Sequence, residues 1–476
     1  MNQVMLNLIM PEIFIAIMAC IILIADVFLH KQSKYIAYML SLFTVTFAAG
    51  LTVNTIPDIS QTIFNDSFIV DKFGCALKLV LYVLLGLIFI YSRSYMQDRK
   101  VLHGEFFALS LFSLLGMMVL ISSGNFLTLY LGLELLVLPL YAMIVMVKKQ
   151  PQYTEAAMKY FIIGSLGAGL LLYGISLVYG ATGSFVFTAV ANAVTAPATL
   201  KLGMLLVVIG LALEFGAVPF HMWLPDVYEG SPTAVTMIVG TLPKIAVFAM
   251  AYRLLTLAFP NLHVAWQQLF MLLAVLSFGF GNLVAIAQTN IKRMLAYSTI
   301  GHIGFILLGL FAAPQQGYLA ALFYTVVYTF MALAALAMVM RLSQTGFEAE
   351  LISDFRGLNA RDPWLAFIML LIMLSLAGVP PLIGFYAKFL VLQAVVAAGY
   401  SWLAVLALLF SVIGAFYYLR VIKYMYFDQP QDNQPALSTN SMSGTGRALM
   451  SINGFLLLWL GVFPGLILFW CVSALQ

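Results

Sequence analysis

The sequence predicts an all-α membrane protein of about fourteen transmembrane helices, and three observations support this fold class. Of the 476 residues, 63% are hydrophobic and only 8% are charged, whereas soluble globular proteins carry about 25% charged residues. Apolar runs of about 20 residues, the length that crosses a bilayer, recur along the whole chain. Lysine and arginine are concentrated in alternate loops between these runs, which is the pattern that sets topology in membranes.

The apolar runs follow one another without a long polar segment, so we treat residues 1–476 as a single membrane domain. Its predicted parts are helices 1–3 (about 4–95), a first repeat (about 105–257), a second repeat (about 266–426) and a last helix (about 449–472). The fourteen candidate spans lie near 6–28, 35–54, 73–92, 105–121, 125–146, 155–179, 202–221, 233–257, 266–287, 292–311, 316–340, 364–394, 402–426 and 449–472.

The loop charges predict how the helices are oriented. Loops rich in lysine and arginine stay in the cytoplasm, so both termini are predicted on the periplasmic side of a bacterial inner membrane. The N-terminus has no basic region before its first apolar run, and we expect that run to be a retained helix. The basic side holds Lys31, Lys34, Arg93, Arg99, Lys100, Lys148, Lys149, Arg293, Arg341, Arg356, Arg361, Arg420, Lys423 and Arg447, and the opposite side holds Lys72, Lys201 and Arg253.

Charge and cysteine usage exclude several classes of function. The net charge is only +4 and the basic residues are scattered singly, so nucleic-acid binding is not expected. Cys20, Cys75 and Cys471 lie far apart in apolar runs, without the spacing of a metal, haem or iron–sulfur site. We therefore expect no cofactor and no redox centre in this chain.

Two pairs of short motifs indicate an internal repeat. Residues 123–127 (SGNFL) resemble 280–284 (FGNLV), and residues 216–220 (GAVPF) resemble 378–382 (GVPPL). Each unit would hold five helices. Because an odd number of helices separates the two starts, the units would be inverted relative to one another, as in many transporters.

Prolines at matching positions interrupt one apolar run in each repeat. Pro219 lies in the first and Pro380-Pro381 in the second. Proline removes a helical hydrogen bond, and the freed carbonyl groups need a partner in lipid. We predict that helices 7 and 12 are broken and open toward a hydrated cavity; ordinary proline kinks are the alternative.

Ionisable residues inside apolar runs point to ion transport. Each charge at the bilayer centre costs about 2.5–3.5 kcal/mol, so these side chains should face one another or water. Structural ion pairing is the alternative, although it explains one pair more easily than five groups. A lysine changes its proton affinity as a carboxylate approaches or recedes, which would allow proton translocation. The five residues are Glu134, Lys159, Glu214, Lys244 and Lys388.

Three further residues are weaker candidates for proton transfer. His221 follows the break at Pro219, and His302 lies within a helix; either can relay protons near neutral pH or simply be a satisfied polar residue between helices. Lys292 lies at a helix edge. Asp226 and Glu229 are expected in a structural or mouth loop, and Glu155 either pairs with Lys159 along one helix face or is an interfacial acid.

Several of these residues lie in motifs that resemble a known family. Residues 220–232 (FHMWLPDVYEGSP) resemble the signature of the antiporter-like membrane subunits of respiratory complex I, and residues 131–135, 288–293 and 384–389 also match. The resemblance covers nearly the whole chain. It implies inverted repeats at helices 4–8 and 9–13, and proton translocation coupled to quinone reduction elsewhere in the complex.

The family resemblance also implies roles and partners. Glu134 would be the carboxylate of helix 5, and the helix lysines would be Lys159 (6), Lys244 (8), Lys292 (10) and Lys388 (12). Other membrane-arm subunits and the lipid bilayer would surround the chain. NADH, FMN, iron–sulfur clusters and quinone would be bound by other subunits.

One position departs from the family pattern. Where helix 7 is expected to carry a lysine shortly before Val-Pro-Phe-His, this chain has Glu214. The expected Glu–Lys pair becomes two carboxylates, which would share a proton if close together. Alternatively, Glu214 pairs with Lys159 or Lys244. We expect it to remain functional.

Two other functional classes are open at this point. A subunit of a cation/proton antiporter complex or of a membrane-bound hydrogenase would share the fold and the lysines. A membrane scaffold that moves no ions would have little reason to retain five intramembrane charges.

Overall fold

The computed structural model describes residues 3–28, 34–99, 103–146, 151–193, 197–312, 315–344, 347–430 and 444–476. Within these ranges the chain is a bundle of helices with one short β-hairpin. Four basic residues of the predicted cytoplasmic loops lie outside the described residues: Lys31, Lys100, Lys148 and Lys149.

The N-terminal part contains three long helices and a short hairpin. Strands β1 and β2 are antiparallel and pair Gln61 with Val70 and Ile63 with Phe68. The Asp71 side chain accepts a hydrogen bond from the Gly74 amide and thereby caps the next helix. The elements are α1 (Gln3–Leu8), α2 (Met10–Phe28), α3 (Lys34–Asn54), β1 (Gln61–Ile63), β2 (Phe68–Val70) and α4 (Lys72–Asp98).

The next part contains the first broken helix. Asn125 caps α6 by accepting from the Thr128 amide. Helices α5 and α6 lie so close that a Cβ atom at Gly116 would be 2.2 Å from the Leu136 nitrogen. The helices are α5 (Gly104–Ile121), α6 (Phe126–Val145), α7 (Pro151–Thr182), α8 (Phe187–Ala191), α9 (Ala198–Phe215), α10 (Trp223–Glu229) and α11 (Thr233–Arg253), followed by a π-helical turn (Leu254–Ala258) and a 3₁₀ turn (Pro260–Leu262).

The C-terminal part contains the second broken helix. Asn290 caps α13 by accepting from the Lys292 and Arg293 amides. A 3₁₀ turn, Ile352–Phe355, precedes α15. The helices are α12 (His263–Ala287), α13 (Ile291–Phe311), α14 (Gln315–Leu342), α15 (Leu358–Arg361), α16 (Pro363–Ala377), α17 (Ile383–Ala397), α18 (Ser401–Tyr426), α19 (Gly444–Val462) and α20 (Gly465–Leu475).

The all-α membrane fold is confirmed, with one run shaped differently from the prediction. In the described part of the chain, 12 helices are long and apolar enough to span a membrane, and a bent pair brings the number to 13. That pair, Gly446–Val462 and Gly465–Leu475, turns by 83°, so the run at 449–472 is not one straight helix. The predicted break in the run at 364–394 separates the two shorter helices α16 and α17, and Gly378 ends the first of them.

The two predicted breaks have the same local structure. Helix α9 ends at Gly216 with φ 77°, and α16 ends at Gly378 with φ 85°. Glycine adopts this left-handed conformation without a steric penalty, which makes it the usual residue after a helix. A cis X–Pro bond follows in each case, at Val218–Pro219 and Pro380–Pro381.

The other motif pair is not structurally equivalent. Asn125 caps a helix, whereas Asn282 lies inside α12. The residue that matches Asn125 is Asn290, which caps α13 in the same way. Glycine and asparagine recur both in caps and in close helix packing, so a five-residue likeness does not distinguish the two. The inverted repeat itself stays a prediction.

Three helices form the centre of the bundle. In α11 and α13 nearly every residue is buried, and α14 packs against both. Polar side chains on these helices are therefore enclosed by protein, where each needs a hydrogen-bond partner. Lys244 lies on α11 and His302 on α13.

Candidate functional site

At the C-terminal end of the first broken helix, α9, backbone carbonyl groups bind the ammonium group of Lys244. Its Nζ atom donates to the carbonyl oxygens of Phe215 at 2.9 Å and Glu214 at 3.4 Å. It also lies 5.2 Å from the centre of the Trp223 ring. Because the last carbonyl groups of a helix have no partner within it and form its negative end, they are suited to bind a buried cation. Lys244 is completely buried.

Two carboxylates lie near this ammonium group. Glu214 is buried, with 8% of its surface exposed, and Glu134 is half-buried on the neighbouring helix α6. Glu214 interacts electrostatically with both Lys244 and Glu134. Among the described residues neither carboxylate forms a close ion pair with Lys244, which instead binds the backbone oxygen of Glu214. Glu214 thus belongs to a loose cluster of three charges, and the sharing of a proton between the two carboxylates stays a prediction.

At the C-terminal end of the second broken helix, α16, a backbone carbonyl group likewise binds a lysine. Lys388 is half-buried, and its Nζ atom donates to the Ala377 carbonyl oxygen at 2.9 Å and to Ser411 Oγ at 2.8 Å. The Phe305 ring centre lies 5.6 Å away. No carboxylate of the described part of the chain forms an ion pair with Lys388. Its charge is stabilised by a helix end, a hydroxyl group and an aromatic face.

A small polar cavity joins Lys388 to His302. Its volume is about 10 Å³, close to the space that one water molecule requires. Lys388, Ser411, His302 and Asn282 line it, together with Tyr417 and Tyr418. A water molecule here would have several hydrogen-bond partners and would connect the ammonium group to Tyr418, whose hydroxyl bonds the imidazole ring.

His302 lies at the centre of a hydrogen-bonded group of hydroxyls. Its Nδ1 atom is 2.7 Å from the Tyr324 hydroxyl, and its Nε2 atom is 3.0 Å from the Tyr418 hydroxyl. Tyr418 in turn bonds to Ser298. All of these side chains are buried. His302 is therefore both a satisfied polar residue and a group able to pass a proton between two hydroxyls.

Lys159 lies apart from Lys244 and Lys388. Its side chain is 43% exposed, and it pairs with Glu155 and Asp226 at 2.8 Å each. It lies on α7, which has 32 residues, and its depth in the membrane stays a prediction. The contact with Glu155 corresponds to the first of the two alternatives for that acid.

Lys159 belongs to an open vestibule of about 310 Å³. Arg293 donates to Asp226 and to Glu229 at 2.8 Å each, so Asp226 binds two cations. Burial raises the pKa of Asp226, but the hydrogen bonds and charges of Lys159 and Arg293 outweigh it, and the pKa lies below its usual value. As predicted, Asp226 and Glu229 line a mouth rather than the interior, although they belong to the short helix α10.

Lys292 and His221 complete the predicted set. Lys292 is buried at the vestibule margin, where its Nζ atom contacts Glu350 at 2.9 Å and donates to the Ser231 carbonyl oxygen. The buried His221 ring packs edge-on against Phe280, with 4.7 Å between ring centres. The structure does not bring either residue into contact with Lys244 or Lys388.

Two buried ion pairs in the N-terminal part escaped the sequence analysis. Lys78 contacts Glu12 at 2.7 Å, with both side chains less than 10% exposed. Arg253 makes a two-pronged contact with Asp71, at 2.9 and 3.0 Å. A signal for the first pair was present, because both residues interrupt apolar runs. The second joins loop ends that are 182 residues apart in sequence, and no periodicity predicts that contact.

No metal site is evident in the described ranges, where no three His, Cys, Asp or Glu side chains converge. The functional groups are carboxylates, amines, hydroxyls and one imidazole ring. This set can accept and release protons, and it contains no group that changes oxidation state readily.

A family model, curated relatives and a solved structure agree on the family that this chain resembles. Residues 123–414 match the family described as "NADH:quinone oxidoreductase/Mrp antiporter, TM". "NADH-quinone oxidoreductase subunit N" of Thioalkalivibrio sulfidiphilus is 51% identical over 473 residues, covering 98% of both chains. A chain of respiratory complex I from Thermus thermophilus with bound aureothin is 32% identical, with a TM-score of 0.82, over 96% of this chain and 98% of that one.

A more distant structure shows how widely the fold is used. A chain of the Mrp complex from Dietzia sp. DQ12-45-1b superposes with a TM-score of 0.86 over 98% of this chain and 97% of that one, at 19% identity. At this level of identity the likeness extends to the fold alone.

Proposed function

The chain belongs to the NADH:quinone oxidoreductase/Mrp antiporter family of membrane subunits, and we propose that it is subunit N of a bacterial NADH-quinone oxidoreductase and translocates protons. The observation that carries this proposal is the pair of lysines at the two helix breaks, Lys244 and Lys388. A cation inside a membrane is costly, and both lysines are positioned where backbone carbonyl groups stabilise them.

The redox chemistry belongs to other subunits in this proposal. They would bind NADH, FMN, iron–sulfur clusters and quinone, and other membrane-arm subunits would flank this chain in the bilayer. Both termini would face the periplasm. The vestibule around Asp226 would then open to the cytoplasm, because its residues adjoin the loops rich in lysine and arginine.

The proton step at Lys244 follows from two opposing effects. Burial favours the neutral amine, whereas the carbonyl groups at the end of α9 favour the ammonium ion. A movement of the Glu214 carboxylate toward or away from Lys244 changes this balance. A proton would thus transfer between carboxylate and amine without a cofactor. Lys388 would receive the proton through His302 and the small cavity beside it.

The alternatives have less support. The Mrp complex shares the fold at 19% identity, whereas the relatives at about half identity are named subunit N. A scaffold that moves no ions does not need Lys244 in a completely buried position. A pumping rate that depends on Na⁺ instead of H⁺ would favour the antiporter alternative.

The test is to replace Lys388 by methionine, which keeps the length of the side chain and removes the charge. Proton pumping and NADH oxidation would be measured together in membrane vesicles that contain the assembled complex. We expect pumping per NADH oxidised to fall, while Lys423→Met, an exposed lysine at the end of α18, leaves it unchanged. Normal pumping by a fully assembled Lys388→Met complex would refute the proposal.

A further inference from the structure

We propose that the hydroxyl groups of Tyr228, Thr299 and Tyr328 form a proton relay between the first and second halves of the chain. This inference rests on the proposed function, because a relay is needed only if Lys244 and Lys388 exchange protons. It adds three residues with hydroxyl groups to the charged residues that carry the proposed function.

The relay is a continuous set of hydrogen bonds centred on Thr299. The Tyr328 hydroxyl donates to Thr299 Oγ1 at 2.7 Å, and the Tyr228 hydroxyl lies 3.2 Å from the same atom. Thr299 Oγ1 itself donates to the Leu295 carbonyl oxygen. A hydroxyl group has one hydrogen and two lone pairs, so every position on Thr299 is used. All three side chains are at least 98% buried.

These residues come from both sides of the boundary between the halves. Tyr228 lies on α10, directly after the first break, while Thr299 and Tyr328 lie on α13 and α14 of the second half. The Tyr328 ring packs against His302, with 4.9 Å between ring centres. The three hydroxyls therefore connect the element that follows the first break to the tyrosine that packs on His302.

The packing at Gly240 indicates independently that the Tyr228 hydroxyl occupies a specific position beside α11. A Cβ atom at Gly240 would lie 2.7 Å from that oxygen, closer than real Cβ contacts allow. Gly240 lies one helical turn before Lys244 on α11. The absence of a side chain here leaves room for a hydroxyl group beside the helix that carries the first lysine.

The position of Thr299 on its helix matches that of Glu134, a proton-transfer candidate of the first half. Thr299 follows the capping residue Asn290 by nine residues, and Glu134 follows the capping residue Asn125 by nine residues. The two helices begin in the same way, so the Thr299 hydroxyl takes the place that a carboxylate has in the first half. A hydroxyl group can pass a proton but does not retain a charge.

The transfer balances at each step. Each hydroxyl forms an O–H bond with the incoming proton as it breaks the bond to its own proton, which moves to the next oxygen. For transfer, Thr299 must turn its hydrogen from Leu295 toward one tyrosine, and that tyrosine must turn its own hydrogen away from Thr299 toward the next acceptor. Among the described residues no hydrogen bond joins Tyr228 to Lys244 or Tyr328 to His302, so a water molecule or a side-chain movement must complete each end.

The experiment compares variants that differ by one hydroxyl group. Tyr228→Phe and Thr299→Val remove a relay oxygen with little change of shape, while Thr299→Ser keeps the oxygen. Tyr82→Phe is the matched control, since Tyr82 is a buried tyrosine whose hydroxyl lies 3.1 Å from that of Thr52, away from both breaks. Pumping and NADH oxidation would be measured on assembled complexes, beside Lys388→Met.

We expect Tyr228→Phe and Thr299→Val to lower the pumping rate about tenfold, which corresponds to about 1.4 kcal/mol in the barrier. Thr299→Ser and Tyr82→Phe should pump normally. If Lys388→Met fails to pump but Tyr228→Phe and Thr299→Val pump normally, the relay is refuted and the proposed function stands. If Lys388→Met also pumps normally, the proposed function itself is refuted.

Gly240→Ala tests the same relay without removing any hydroxyl group. The added methyl group would displace the Tyr228 oxygen from Thr299. We expect Gly240→Ala to slow pumping. In the double variant Gly240→Ala/Tyr228→Phe, the loss of pumping should be smaller than the sum of the losses in the two single variants. Full additivity of the two losses would contradict a shared role, because residues that act together are not additive.

Discussion

The two helix breaks have the same backbone design but different charges around their lysines. At each break a glycine with positive φ ends the helix, and an ammonium group binds the last carbonyl groups. Lys244 has Glu214 and, beyond it, Glu134 in its surroundings. Lys388 has a serine, a histidine and tyrosines. The surroundings of Lys244 can thus hold a proton on a carboxylate, whereas the described residues around Lys388 can hold one on an amine or an imidazole ring.

Equal distances from the glycines make the contrast sharper. Asp226 follows Gly216 by ten residues, and Lys388 follows Gly378 by ten residues. Likewise Glu214 precedes its glycine by two residues, where the second half has Leu376. Residues at equal distances from the two glycines therefore carry opposite charges, or a charge and none. The fold thus determines where a charge can be stabilised, and the residue type determines whether an acid, a base or a neutral side chain lies there.

The largest effect is expected from Lys244→Met. It removes the cation of the first half and leaves two carboxylates without a counter-charge, so we expect pumping to fall about a hundredfold, the lower range for loss of a proton-transfer group. Pumping by inverted vesicles checks this. Lys201→Met, an exposed lysine on the adjacent helix α9, is the control. Pumping within twofold of wild type would remove Lys244 from the account.

A smaller effect is expected from Glu214→Gln, which makes the first half resemble the second. The amide has nearly the same shape but does not carry the proton, and Glu134 remains to take over part of its role. We expect about tenfold slower pumping at normal assembly. Glu105→Gln, at an exposed helix start, should have no effect. Unchanged pumping would show that Glu214 is a structural residue.

Lys159→Met should change pumping least among the charged positions. Lys159 is partly exposed and lies in the vestibule, and exposed ion pairs contribute about 0–1 kcal/mol. We expect at most a fivefold decrease that shrinks further as salt is added, because salt screens such pairs. Complete loss of pumping would mean that Lys159 leaves the vestibule and acts beside Glu134.

A substitution in the Asp71–Arg253 ion pair, which lies outside both helix breaks, should lower the stability of the fold without changing proton pumping. Burial raises the pKa of Asp71, but the neighbouring Arg253 charge and hydrogen bonds lower it further, so that it lies below the usual 3.8. The Asp71–Arg253 pair therefore stabilises the fold above about pH 4, and this contribution is lost as the pH falls through the lowered pKa.

For Asp71→Asn we accordingly expect a lower free energy of unfolding at pH 7, by about 3 kcal/mol, with protons pumped per NADH unchanged. Thermal unfolding of the purified protein at pH 7 and pH 3 provides the measurement. The difference from wild type should shrink at pH 3. A difference that grows toward low pH would contradict the sign of the pKa shift.

Much of this architecture follows from local sequence signals. Spans of apolar residues predict helices because lipid admits few other structures, and prolines inside two of these spans predicted both breaks. The lysines were found because each interrupts an apolar run. These signals depend on neighbouring residues only, so they do not require knowledge of the tertiary fold.

Other features depend on contacts between distant residues. The vestibule position of Lys159 depends on its ion pair with Asp226 on α10, which lies 67 residues further along the chain. Tyr228, Thr299 and Tyr328 read as ordinary core residues in sequence, and only their convergence shows a polar connection. The 83° bend in the last helix was missed, although Pro464 lies at that point.

The most direct test of the central claim is the position of ordered water in a high-resolution structure of the assembled complex. We expect water beside Lys388 in the cavity that His302 lines, and between Lys244 and Glu214, so that both lysines belong to one hydrated interior passage. A dry interior around both lysines, with each enclosed only by apolar side chains and backbone, would contradict the account.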